Sequence, residues 1–279
     1  MVQRLGAAED ALNAVVKRYP EVWRRRTPRE SLVGWLTVAA VAFASAWSVS
    51  ALDIEWAFFA DAHVQAADLM RRMWPPRWSY LPVIVKPLIE TIHIATLGTA
   101  IGLVLSIPLA FLAARNTTLN GFTWGIGRAL LVASRSVNTV IWGLLFVAIF
   151  GPGAVAGVCA VAARSVGFLA KLVAEAIEEA DKGQVEAIAA TGAGTAQVYL
   201  FGILPQVMPV LIGTTVYRWD INVRESSVLG FVGAGGIGLH LYASINQFAW
   251  QQVLVVLIAI LVIVLLSEAV SAYIRGRIS

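Results

Sequence analysis

The sequence predicts an all-α polytopic membrane protein with about six transmembrane helices, and three observations carry that expectation. Of 279 residues, 58% are hydrophobic and 14% charged, against about 25% charged in an ordinary soluble domain. A membrane-crossing helix needs about 20 consecutive apolar residues, and stretches free of Asp, Glu, Lys and Arg run from Ser31 to Leu52, Thr91 to Ala114, Ser136 to Ala163 and Ser226 to Ser267. These runs are continuous, whereas a porin-type barrel alternates apolar and polar residues over segments of about 10 residues. A water-soluble globular enzyme and an outer-membrane barrel are therefore excluded.

The first segment, residues 1–31, is expected to be cytoplasmic. Seven of the 21 basic residues lie in it (Arg4, Lys17, Arg18, Arg24, Arg25, Arg26 and Arg29), and basic residues stay on the inner side. Ala8, Leu12, Val15, Val16 and Tyr19 share one face of a helix over residues 8–23, which suits a helix lying along the inner membrane surface. No convincing cleavage pattern follows the basic stretch, so the mature chain is expected to begin at Met1.

Residues 32–52 form the first expected span and 53–87 an outer loop. In that loop Trp56, Phe59, Val64, Met70, Met73 and Trp74 recur at roughly helical spacing before the breaker Pro75-Pro76, so an outer interfacial helix is expected. Further spans are read at 88–113, 128–150, 154–174, 207–225 and 249–272, within a core domain covering 88–272. A short basic tail at 273–279, with Arg275 and Arg277, places the C-terminus inside as well. One cysteine, Cys159, rules out an intramolecular disulfide and a multi-cysteine metal site.

Residues 175–206 interrupt the series of spans. Glu175, Glu178, Glu179, Asp181 and Lys182 precede Gly183, a short helical stretch from Gln184 to Thr191, then Gly192, Gly194 and Pro205. The glycines with Thr195 and Gln197 make poor hydrocarbon filling, and insertion would put the basic tail outside. The segment is therefore expected to be a cytoplasmic loop with its own short helices, and loops of about 30 residues are usually functional.

Three patterns bear on chemistry. The string at Gly233, Gly235 and Gly238 has G-x-G-x-x-G spacing, but its flanks are spans and the next acid, Glu268, is too distant for a dinucleotide site. It reads instead as an irregular outer turn, Gly230, Gly233, Gly235, Gly236 and Gly238, close to a conduction path, since non-helical backbone at membrane depth must be buried or line a cavity. No P-loop string occurs, and His63, His93 and His240 are scattered. The chain has no candidate catalytic, metal-binding or cofactor-binding residues, and ATP chemistry must come from a partner.

Ionisable residues inside spans are costly and tend to face a bundle interior or aqueous cavity. Here they are Arg135 with Asn138, then Arg164, then Arg218, Asp220, Asn222, Arg224 and Glu225. Asp220 and Arg224 are four apart and suit a local ion pair. Arg135 and Arg164 have no carboxylate at three or four residues, and Arg218 has Asn222 four residues on. A guanidinium without a local carboxylate suits an anion path, because it forks onto phosphate or carboxylate oxygens. Arg135, Asn138, Arg218, Asn222 and Arg224 are the candidates for that path, with snorkelling toward a headgroup the competing reading for Arg164.

The string from Glu186 to Pro205, with Glu186, Ala187, Ala190, Thr191, Gly192, Leu204 and Pro205, resembles the EAA loop of permease subunits of binding-protein-dependent ABC importers. Ile188 and Gly202 depart from the motif, while the spacing from Glu186 to Gly192 and to Leu204-Pro205 is intact. Pro108–Asn116, Lys171–Asp181, Tyr217–Arg224 and Val228–Gly238 are similar, more narrowly, to the permease of phosphonate importers, and the likeness covers about residues 85–275. Near Arg135, Arg-Ser-Val-Asn stands where that family has a proline and an acid.

The resemblance implies a type I ABC importer permease (methionine-permease-like) fold and a multi-pass location in the bacterial inner membrane. It implies that residues 186–192 couple to a separate ATPase, which binds ATP and Mg2+, and that the cargo is phosphonate, phosphate or phosphite. It also implies two ATPase subunits, an extracytoplasmic substrate-binding protein and a second permease copy. With no second half in this sequence, a homodimer with the path on its two-fold axis is expected; nucleic acid is not an expected partner. The alternatives are a permease for methionine, glycine betaine or another small solute, a secondary transporter or channel, for which no internal repeat is seen, and a lipid-modifying enzyme, for which no catalytic constellation exists.

Overall fold

The structure is a computed structural model that describes residue 14 and residues 28–52, 55–118 and 120–278. Apart from residue 14, the surface helix expected over residues 8–23 lies outside the described residues. The chain divides into two compact units, residues 1–66 and 67–279. The first contains α1 (Pro28–Ala51) and the start of α2 (Ala57–Met73), which ends ahead of Pro75-Pro76.

The second unit continues with α3 (Leu81–Ala113), α4 (Gly121–Ser136), α5 (Thr139–Phe150), α6 (Ala154–Glu178), α7 (Lys182–Ala190), α8 (Thr195–Val198), α9 (Leu204–Leu229), α10 (Ile237–Asn246) and α11 (Trp250–Ile278). Among the described residues five helical stretches are long and apolar enough to cross a membrane, six if the bent pair α4 and α5 counts as one.

That pair differs from the continuous span expected at 128–150. Val137 is extended, and the Asn138 side chain accepts the Val140 N–H at 3.0 Å to start α5 afresh, so α4 and α5 meet at 92°. Helices of 16 and 12 residues are each shorter than the roughly 20 residues a span requires. Apolar content alone does not register such a break. The second span also begins earlier than expected, at Leu81, because Pro82 is harmless in a first helical turn.

The core is built on α3 and α6, which lie side by side in the same direction. Small residues allow the approach: a Cβ added at Gly102 would come within 2.7 Å of the Ser165 Cβ. Without a hydrophobic drive between helices in lipid, such close packing is what holds them. α9 runs antiparallel to both, and α11 antiparallel to α9, with Ser267 Oγ donating to Asp220 Oδ1 at 2.8 Å.

Three apolar clusters succeed one another along the bundle. At one end Ala110, Ala113, Val173, Ile177, Ile203 and Val207 pack where α3 and α6 finish and α9 begins. Ile94, Ala160, Val161, Leu229 and Ala234 lie farther along. Ile84, Ile237, Leu241, Val253 and Val256 close the opposite end. Outward positions such as Leu97, Ile101, Val104, Leu261 and Leu265 are exposed, as expected for a lipid-facing surface.

Candidate functional site

The segment read as a coupling loop is built at the α3/α6 finishing end. Asp181 caps α7 by accepting the Gly183 N–H at 2.8 Å, and its own N–H donates to Gln206 Oε1 at 2.9 Å. The helix turns Val185 and Ile188 inward and leaves Glu186, Ala187, Ala190, Thr191 and Gly192 exposed. Gly192 ends it at φ +81°, a conformation that L side chains rarely adopt.

From α8 the chain enters α9 without a break. A wide turn over Tyr199–Ile203 closes with the Leu204 N–H bonded to the Tyr199 carbonyl, and such five-residue turns recur at functional sites. Leu204 is half-buried and Pro205 exposed in the first turn of α9. Tyr199 ties the segment to the bundle: its hydroxyl donates to the Thr117 carbonyl at 3.1 Å and its ring lies 5.4 Å from Phe111. Beside it, Glu178 accepts from Arg128 at 2.8 Å and from the Arg115 N–H at 2.9 Å, joining the end of α6 to the end of α3 and the middle of α4.

At the opposite end the five expected turn glycines come together between α9 and α10. Gly233, Gly235 and Gly236 have φ of +83°, +82° and +77°, and Gly238 packs on Gly230. No neighbouring residue in the chain indicates what holds this turn in place. Glu90 and Thr91 of α3 do so, accepting the Gly236 N–H at 3.2 Å and the Ile237 N–H at 2.8 Å, which satisfies two orphan donors at the start of α10.

Between these ends lies a polar cluster drawn from four helices. Arg218 on α9 is 2% exposed. Its Nη2 lies 3.3 Å from Glu225 Oε2, its Nε donates to Ser165 Oγ at 3.1 Å, and its guanidinium sits 5.2 Å from the Phe168 ring centre. Arg164 on α6 reaches Glu225 Oε1 at 3.2 Å and donates to Thr139 Oγ1 at 2.9 Å. Thr139 in turn donates to Glu225 Oε2. Asn222 donates to Thr99 Oγ1 at 2.7 Å and to Ser165 Oγ at 2.9 Å, and its buried carbonyl oxygen accepts no hydrogen bond among the described residues.

Arg218 and Asn222 thus meet in one cluster, while the other three path candidates stand apart. Arg135 is exposed at the end of α4, and Asn138 is exposed at the α5 cap. Arg224 pairs with Asp220, forming the local ion pair its spacing suggested, on a different face of α9. Arg164, which lacks a carboxylate on its own helix, is paired across helices, so snorkelling does not describe it. A central member of the cluster that the path candidates omit is Glu225, an ionisable residue inside a span. The signal that ties it to Arg218 is a separation of seven, about two helical turns and so the same face.

Buried charge of this kind persists only when paired and hydrogen-bonded, and here two guanidinia converge on one carboxylate. No group of three or more His, Cys, Asp and Glu side chains that could hold a metal occurs among the described residues. The arrangement sets two guanidinium groups and a hydroxyl where they can bind and orient an anion.

Residues 106–279 match the family described as binding-protein-dependent transport system inner membrane component. The chain belongs to that family, whose members are multi-pass membrane permeases. It is 39% identical over 267 residues to the phosphite transport system permease protein PtxC of Stutzerimonas stutzeri, covering 93% of this chain and 96% of the relative. It is 38% identical to the phosphate-import permease protein PhnE of Mycolicibacterium smegmatis over 91% of this chain, spanning 47% of that relative's length. The MetNI methionine ABC transporter in inward-facing conformations shares the fold, with a TM-score of 0.63 at 22% identity over 72% of this chain and 98% of the other.

Proposed function

We propose that this chain is the transmembrane permease subunit of an ATP-driven importer for a phosphorus oxyanion: phosphite, phosphate or phosphonate. The observation that carries the substrate class is alignment over more than nine-tenths of this chain with relatives named for phosphite and phosphate import. The cluster of Arg164 and Arg218 supports it, because guanidinium forks match tetrahedral oxyanions. Arg218 and Asn222 form the centre of the path. Arg135 and Asn138 continue it on the exposed side next to Thr139, and Arg224 lies farther round α9.

The exposed face of α7, with Glu186, Ala187, Ala190, Thr191 and Gly192, docks into a separate ATPase subunit that binds ATP and Mg2+. The continuous run from α8 through Tyr199–Ile203, Leu204 and Pro205 into α9 passes that motion to the helix bearing Arg218 and Asn222, a rigid-body route between hydrolysis and the path. The glycine turn at 230–238 sits at the far end and helps to close the outer side. On this reading α7 and both termini are cytoplasmic, and the working unit contains two permeases, two ATPases and an extracytoplasmic binding protein. Two copies of this chain supply the permease pair; the relative of about twice its length has room for two such units.

The test is gentle purification of the tagged chain from its own membranes, followed by ATP hydrolysis with phosphite, phosphate or a phosphonate and the binding protein. A co-purifying ATPase stimulated by one of these anions supports the proposal. A chain that comes out alone and moves solute by itself in liposomes contradicts it, and a second, different permease in the complex removes the homodimer.

A further inference from the structure

We propose that Arg164, Thr139 and Arg218 form an oxyanion-binding site within the path and that Glu225 is its resident counter-ion, displaced when cargo enters. This rests on the oxyanion-importer reading and goes beyond it by naming the site and the group that competes for it.

The geometry is that of a bound anion. Each carboxylate oxygen of Glu225 faces a different guanidinium, Arg164 at 3.2 Å and Arg218 at 3.3 Å, and the Thr139 hydroxyl donates a third hydrogen bond. A tetrahedral oxyanion asks for the same set of donors. The three donors come from α5, α6 and α9, so their convergence is a property of the assembled bundle.

Charge and exposure point the same way. Two guanidinia against one carboxylate leave the triad one positive charge in excess. Arg218 is fixed by Ser165, which Asn222 holds in turn, and by the Phe168 ring. Glu225 and Arg164 are 22% and 28% exposed, against 2% for Arg218. The carboxylate therefore lies at the open edge of the cluster, where it can swing away while Arg218 stays in place. Such an internal anion shields the arginines when no cargo is present and weakens cargo binding by competition, which lets an anion leave as readily as it arrives.

The test is phosphate and phosphite binding to the purified, full-length permease–ATPase complex without its binding protein. Glu225→Gln is expected to bind either anion at least about tenfold more tightly than the wild type, and Arg218→Gln in that background to abolish the gain. Heat stability lost in Glu225→Gln is expected to return on adding phosphate. Equal or weaker binding in Glu225→Gln, or a stability loss that phosphate leaves untouched, would make Glu225 a structural brace and overturn the inference. If Glu225→Gln fails to assemble, Glu225→Asp decides: a shorter carboxylate gives binding tighter than wild type if it competes, and unchanged binding overturns the proposal. Uptake by the wild-type complex with its binding protein in liposomes separates the two levels. Uptake of a phosphorus oxyanion with no effect of Glu225 on binding removes the counter-ion alone, whereas no uptake of any such anion removes the importer reading together with it.

Discussion

Arg218 and Glu225 stand two turns apart on α9 and meet at 3.3 Å, while Arg164 from α6 approaches the other carboxylate oxygen at 3.2 Å. Because Arg218 is almost wholly buried, the two members are not equivalent: breaking a buried pair costs about 3–5 kcal/mol when a charge is stranded, and that follows loss of Glu225 rather than loss of Arg218. Arg164 remains beside Glu225 when Arg218 is removed, so the carboxylate is not stranded and the bundle survives.

Arg218→Ala is therefore expected to assemble with its partners while uptake falls at least about tenfold, a change equivalent to about 1.4 kcal/mol. Assembly is read by co-purification and uptake in liposomes. Normal uptake would leave Arg218 a packing residue.

On α7, Glu186 is exposed, and surface substitutions of that kind change stability by about 0.5 kcal/mol or less. Glu186→Lys should therefore leave the permease folded in the membrane and abolish uptake by weakening the ATPase contact. Gly192→Pro should uncouple as well, because proline fixes φ near −65° where this backbone needs +81°. Unchanged uptake in both variants would remove the coupling role of α7.

Tyr199→Phe deletes one hydrogen bond, from its hydroxyl to the Thr117 carbonyl, worth about 0.5–1.5 kcal/mol net. The ring still packs on Phe111, so the expected result is a small drop in melting temperature with partial loss of substrate-stimulated ATP hydrolysis. A stability loss with hydrolysis fully retained would show that this tether is structural only.

In the glycine turn, Gly235→Ala places a Cβ 2.7 Å from Glu90 Oε1 and 2.9 Å from the Ala154 nitrogen at φ +82°. A destabilisation of about 1–3 kcal/mol is expected. Gly213→Ala is the control, since its Cβ meets nothing within 4 Å and alanine is favoured over glycine in a helix by about 1 kcal/mol. Thermal unfolding of the two variants should move in opposite directions.

Much of this arrangement was legible in the residues, for reasons that differ by element. Long uncharged runs report α1, α3 and α11 because a lipid-facing helix must be apolar over most of its length. The break at Val137 and Asn138 was not legible, since hydropathy averages across a cap made by one asparagine. The glycines at 230–238 announced an irregular turn, but the partners that hold it, Glu90 and Thr91, lie more than 130 residues earlier and share no local pattern with it. The same limit hid the Arg164–Glu225 pair. Local spacing finds partners three or four residues apart on one helix, as with Asp220 and Arg224, whereas Arg164 is paired by the packing of α6 on α9.

The most direct test of the central claim is transport by the reconstituted complex: this chain, its co-purifying ATPase and binding protein in liposomes, with labelled phosphite, phosphate or phosphonate outside and ATP inside. ATP-dependent accumulation of one of these anions, abolished by Glu186→Lys, is the predicted result. Accumulation without ATP, or of an unrelated solute with none of these anions carried, would contradict the account.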